Sequence, residues 1–167
     1  PELMVTRHYA QRDYPFIFTN GVQASYVEVD PQTGFVTLLK HWAVEDCGRV
    51  INPRLVDEQI RGAIVQGLGG ALLEECLYDD EGLMRNASMA DYLVPMCAEM
   101  PDIEVAHVQT PTRSSQLGAK GAGEAGTAGA PAAVMNAIND ALASLHAQVW
   151  SQPITPEKIL RALGHVD

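Results

Sequence analysis

The chain of 167 residues is poor in basic charge, in cysteine and in long apolar runs. Eleven Lys and Arg stand against 21 Asp and Glu, a formal charge of −10. Phosphate backbones and anionic membranes are bound by clustered Lys and Arg, so neither a nucleic acid nor a membrane is the expected partner. One small phosphate held by backbone N–H groups stays open. Cys47, Cys76 and Cys97 are widely spaced, without a C-x-x-C pair. That excludes a disulfide framework and a thiolate metal site, and it fits a reducing, cytoplasmic setting with buried or inert thiols. No apolar run approaches the roughly 20 residues of a membrane span, and no signal peptide opens the chain, which begins at Pro1. His8, His41, His107, His146 and His165 show no paired ligand spacing, so no metal ligated by side chains is expected. A Walker loop is missing too, because Lys120 precedes Gly121 rather than Ser or Thr.

What is present is the composition of one globular domain, 47% apolar and 19% charged. Residues 1–15 read as an extended lead-in. Alternation over 22–29, the turn residues Asp30-Pro-Gln-Thr-Gly34 and a β-rich run over 35–44 predict a hairpin. Asn52-Pro53 is a helix start, with Asn at the cap and Pro at the first position. The helix is expected over 53–77, with Val56, Ile60, Ile64, Leu68, Ala71 and Leu72 on its apolar face. On another face Gln66 stands between Gly62 and Gly69 or Gly70, which leaves either a tight helix–sheet contact or a ligand contact open. A turn at 79–82, a strand over 103–109, a polar loop over 110–116, a helix over 131–147 and a short closing helix over 155–163 follow. The fold class is α+β, a mixed or antiparallel sheet with packed helices.

The centre of the chain is Gly118-Ala-Lys-Gly-Ala-Gly-Glu124-Ala-Gly-Thr-Ala-Gly-Ala-Pro131, a glycine loop around a single carboxylate. Gly121-x-Gly123-x-x-Gly126 matches the dinucleotide pattern, but the strand expected before it ends too far upstream. Glu124 would also repel a pyrophosphate. Two readings of Glu124 stay open: a carboxylate desolvated into a general base, or a helix cap using the following N–H groups.

The glycine loop and the segment Pro131-Ala-Ala-Val-Met-Asn-Ala-Ile-Asn-Asp-Ala-Leu142 resemble the C-terminal signature of the molybdenum hydroxylases. That family includes xanthine dehydrogenase, aldehyde oxidase and aerobic carbon-monoxide dehydrogenase. Further blocks agree in order: Val27-Glu-Val-Asp-Pro-Gln-Thr-Gly34, Glu45-Asp-Cys-Gly-Arg-Val-Ile-Asn-Pro53, Gln59-Ile-Arg-Gly-Ala-Ile-Val-Gln-Gly-Leu-Gly69, Asp91-Tyr-Leu-Val-Pro95 and Ile154-Thr-Pro-Glu-Lys-Ile-Leu160.

The resemblance implies that 1–167 is the C-terminal molybdopterin-binding domain, or a small split subunit, of a large-subunit protein. It implies a molybdenum–molybdopterin cofactor held through the pterin dithiolene, in the cytosine dinucleotide form for a bacterial member. It also implies 2Fe-2S and FAD groups on partner subunits or domains. Glu124 matches the family's general base for hydroxylating an aldehyde, an N-heterocycle or a similar carbon centre, with water as oxygen source. Gln66 matches a cofactor-binding helix glutamine, and Lys120, Gly121 and Gly123 would shape the loop beside the metal. The chain departs from the family in length, lacking the second glycine-rich cofactor loop and the substrate-pocket segments. By itself it is expected to be inactive, and a catalytically silent assembly module is the alternative reading.

Overall fold

The computed structural model describes residues 3–9 and 16–166. The lead-in expected over 1–15 lies partly outside them, and residues 3–9 form neither helix nor strand. The hairpin forms as β1 (Asn20–Val29) and β2 (Val36–Asp46), paired antiparallel with a bulge at Tyr26/Val27. Its turn is made by Asp30, whose carboxylate accepts from Gln32 N (2.8 Å) and Thr33 Oγ1 (2.7 Å). Gly34 closes the turn at φ 74°, a region that favours glycine. β3 (Ile103–His107) pairs parallel to β2, so the sheet is mixed, in the order β1-β2-β3. A parallel neighbour requires a crossover, and α1 (Pro53–Leu72) supplies it. α2 (Ala125–Ala143) and α3 (Pro156–Ala162) follow.

α1 starts where expected, with Asn52 Oδ1 accepting from Leu55 N at 3.3 Å. It ends at Leu72 instead of residue 77. Leu73 N and Glu74 N both turn back to Gly69 O, at 2.8 and 2.9 Å. Asn86 then captures the chain, accepting from Leu77 N (3.0 Å) and donating to Glu75 O (2.6 Å). These side-chain bonds compete with helix continuation, a tertiary effect that local periodicity does not encode. β3 also stops short, at His107, because Thr110 N turns to the carboxylate of Asp46 (3.0 Å).

α2 begins six residues before the expected 131, so Gly126 and Gly129 are helical and Pro131 lies in the second turn. There its missing N–H leaves Thr127 O without an i+4 donor. A neighbouring helix packs on this spot. Gly67 of α1 sits against this spot, where a Cβ would stand 2.9 Å from Thr127 O and 3.1 Å from Pro131 Cδ. Gly126 makes the reciprocal approach, with a Cβ there 2.5 Å from Ile60 O and 2.9 Å from Ile64 N. Between them Thr127 Oγ1 donates to Ala63 O at 3.0 Å, and Gln59 Nε2 to Gly123 O at 2.9 Å. Both bonds join residues 64 apart, as do Gly67 and Pro131. The two helices therefore run side by side in one direction, in constant register every fourth residue. Leu145, inside the helix expected over 131–147, falls beyond the helix end and is exposed.

Both long helices cover one face of the sheet. The core joins Ile60, Ile64, Leu68 and Ala71 of α1 to Val134, Ile138 and Leu142 of α2. Ala43 and Ile103 of the sheet and Ile154 and Ile159 near α3 complete it. The other face of the sheet shows Val22, Tyr26, Trp42 and Val44 to solvent, with Lys40 Nζ 5.5 Å from the Trp42 ring and paired with Glu104.

On the inner face one row is polar. Ser25 Oγ donates to His41 Nδ1 (2.9 Å), and His41 Nε2 donates to Gln23 Oε1 (3.2 Å). Gln23 Nε2 donates to Glu45 Oε1 (3.0 Å) and to Gly126 O of α2 (2.9 Å). The tautomer follows from the chain of donors, because Gln23 Nε2 already faces acceptors and leaves Oε1 for His41. His41 is fully buried, and burial pushes its pKa down to about 4. Burial also raises the Glu45 carboxyl.

The helix contact can be tested by adding a methyl group on and off it. Gly126→Ala should lower stability by about 1–3 kcal/mol, because the new methyl meets backbone that cannot give way. Gly62→Ala, with nothing within 4 Å of the added Cβ, should raise it by about 1 kcal/mol. Urea midpoints of the two variants check both signs.

The buried histidine makes stability depend on pH. The folded pKa of His41, about 4, lies below the unfolded value of 6.5, so unfolded chains take up the proton first as pH falls. This contribution is complete above about pH 6.5 and fades towards pH 4, a loss of about 2 kcal/mol between pH 7 and pH 5. Glu45, with a raised pKa, acts in the opposite sense, its share declining as pH rises. His41→Asn should remove the acid-side loss in urea titrations at the two pH values. The same pH dependence in wild type and variant would rule His41 out as its source.

Candidate functional site

The glycine loop is zipped onto the end of β2. Lys120 N donates to Cys47 O (2.7 Å), Arg49 N donates to Gly118 O (3.0 Å), and Gly48 bridges to Ala119. Gly48 and Gly118 have φ of 71° and 72°, and a Cβ on Gly48 would run into the Gly118 carbonyl. Asp46 is the clamp beneath. Its Oδ1 accepts from Gly48 N (2.9 Å) and Thr110 N (3.0 Å) and pairs with Lys120 Nζ (3.3 Å). Hydrogen bonds from Thr110, then from the Gly48 amide and Lys120, hold its carboxyl well below the usual carboxylate range. Lys120 therefore turns its ammonium inwards, towards Asp46 and Asn20 Oδ1 (3.4 Å). Gly121 and Gly123 are exposed, and a methyl added at either position would meet nothing within 4 Å.

Glu124 is the N-cap of α2, and its side chain makes no cap bond. It is exposed. Within this chain it is therefore neither desolvated among aliphatic residues nor used as a cap, the two readings left open by its sequence setting. Its backbone is pinned on both sides. Gln59 holds Gly123 O, Gln23 holds Gly126 O and, at 3.4 Å, Ala125 O, and Thr127 is tied to Ala63. The carboxylate thus stands free on a fixed seat.

Gln66 is exposed on α1, in line with Gly62 and Gly70, both of which face open space. Of the two glycines considered beyond it, Gly70 shares its face, while Gly69 is buried against Glu74 and Pro95. The row 62, 66, 70 lies beside the row 59, 63, 67 that meets α2. Lys120, Gly121, Gly123 and Glu124 are thus brought into one loop, and Gln66 is on the adjoining helix with no hydrogen bond to that loop.

His107, at the end of β3, is 2.5 Å from Asp57 Oδ1 of α1, and Arg61 Nε donates to Ile103 O at 3.2 Å. These contacts fix the start of α1 against the sheet. Asp46 and Gln23 carry no weight in the sequence reading. The available signal was polar residues at alternate positions of the covered face, Gln23 and Ser25 on β1, His41 and Glu45 on β2. Of the cysteines, Cys47 is buried, while Cys76 and Cys97 are exposed and free.

The model of the molybdopterin cofactor-binding domain family matches residues 1–101. The chain is 47% identical over 146 residues to the nicotine 6-hydroxylase large subunit of Paenarthrobacter nicotinovorans, covering 87% of this chain and 18% of that one. It is 34% identical to the carbon monoxide dehydrogenase large chain of Afipia carboxidovorans, covering 80% and 16%. Among solved structures it superposes on quinoline 2-oxidoreductase from Pseudomonas putida 86 with a TM-score of 0.84 at 45% identity, covering 87% of this chain and 19% of that one. The chain thus spans about a fifth of the length of these relatives. Among the described residues no helix is long and apolar enough to cross a membrane. The ordered sequence blocks, the mixed sheet under two parallel helices and these likenesses converge: the chain belongs to the molybdopterin cofactor-binding domain family of molybdenum hydroxylase large subunits.

Proposed function

We propose that this chain is the C-terminal cofactor-binding region, or a split subunit, of a molybdenum hydroxylase in which Glu124 is the general base. The observation that carries the reading is an exposed carboxylate with no cap bond, on a backbone pinned by Gln59, Gln23 and Thr127. A general base has to be positioned to about the tolerance of a hydrogen bond, and a rigid backbone seat supplies that.

The residues fit a bulky cofactor. Gly121 and Gly123 leave open space that any larger residue would fill, and Gln66 presents an amide on a face smoothed by Gly62 and Gly70. Gln66 would hold the pterin by hydrogen bonds, Gly121 and Gly123 would let the loop approach it, and Lys120 would keep the loop shaped through Asp46. When bound, molybdopterin supplies the two-electron oxidation, with electrons leaving through 2Fe-2S and FAD partners. Glu124 accepts the proton released as a water-derived oxygen joins the substrate carbon.

Nicotine and quinoline, in the names of relatives at 47% and 45% identity, are aromatic N-heterocycles, and we take that substrate class for this chain. Two exposed free thiols support a reducing, cytoplasmic setting. Glu124→Gln in the assembled enzyme should keep molybdenum content and lower kcat by about 100-fold or more. Near-normal turnover would remove Glu124 from the chemistry.

A further inference from the structure

We propose that Gln23 is a positioning residue that aims Glu124. The inference rests on the reading of Glu124 as the base. Gln23 lies in the middle of β1, paired opposite Ala43, and its amide reaches out of the sheet to the first turn of α2. There it donates to Gly126 O (2.9 Å) and Ala125 O (3.4 Å), the two carbonyls directly after Glu124. Such lateral bonds set how the helix start is rotated about its axis, and so where the side chain before it points. Gln59 grips the other side of Glu124, at Gly123 O. Without Gln23 the seat is held from α1 alone.

The amide of Gln23 has one orientation. Its NH2 group is taken by the Glu45 carboxylate and the α2 carbonyls, and its Oε1 accepts from His41, which Ser25 orients in turn. Ser25, His41, Gln23 and Glu45 all sit on paired strands, so the chain of bonds is anchored in rigid backbone. A second observation points the same way. A Cβ at Gly129, one turn beyond Glu124, would stand 3.0 Å from Gln23 Cδ and 3.1 Å from its Nε2. The glycine leaves room for this amide.

The test uses the assembled holoenzyme. Gln23→Met keeps the length of the side chain and removes both donors. It should keep molybdenum content, lower kcat roughly ten- to a hundredfold with KM within about twofold, and speed amide exchange at Thr127 and Ala128, whose N–H groups bond to Glu124 O. Gly129→Ala reaches the same amide from the other side. It should leave folding intact, since Ala is the better helix former, and still lower kcat. If Gln23→Met fails to assemble, this variant decides. Ile138→Val, a buried loss of packing further along α2, should leave kcat as it is. Wild-type kcat and exchange in Gln23→Met, or wild-type kcat in Gly129→Ala, overturns the inference while a slow Glu124→Gln leaves the base standing. Near-normal turnover in Glu124→Gln shows instead that the base reading failed, and with it the aim assigned to Gln23.

Discussion

The molecule depends on one close approach, backbone against backbone, where α1 meets α2. Gly126 rests on the Ile60–Ile64 turn, and Gly67 rests on the Thr127–Pro131 turn. Helices that touch without side chains between them have little freedom to slide, because any shift brings carbonyl into carbonyl. The hydrogen bonds from Gln59 and Thr127 lock the register. The same contact lies against the proline inside α2 and along the half of the glycine stretch that is helical. Glu124 inherits its place from this contact, since it stands at the N-cap position of the helix so fixed, with its side chain free of any cap bond.

A second layer of constraint is polar. Most sheets press an apolar face on their helices, but here one row carries a serine, a histidine, a glutamine and a glutamate. Each finds a partner, which is the condition for polar groups to be tolerated in a core. The benefit is direction: apolar contacts hold the sheet near the helix, whereas the Gln23 bonds hold it at one angle. Asp46 does the same for the loop, collecting two amides and an ammonium around one oxygen.

Much of this was legible in the sequence, because it is local. Asn52-Pro53 marks its own helix start, Asp30 and Gly34 mark their turn, and the alternation from Ile103 marks a strand. The α+β class followed from the interleaving of strands and helices, and the family followed from the ordered blocks. The errors fall where a distant residue overrides a local rule. Pro131 reads as a helix start unless Gly67 is known to lie opposite. Residues 73–77 read as helix unless Asn86 is known to capture them. The candidate site was legible in its loop and its acid, but the surroundings of Glu124 were not, since the contacts within this chain hold its neighbours' backbone and leave its carboxylate free. Gln23 and Asp46 escaped because alternation shows only which residues share a face, and not which distant backbone groups they bond.

The equal stride of the two long helices has a consequence for how such a domain can vary. The register that seats Glu124 is set in the middle of α1, between Gln59 and Gly67. The crossover to β3 leaves from the far end, about 20 Å further along the helix axis from Gln59. A change of length between residues 73 and 90 falls beyond that register and leaves the seat of the acid in place. A single residue inserted between 59 and 67 would throw every fourth contact out of step. The domain divides into a stretch that tolerates insertion and a stretch that does not.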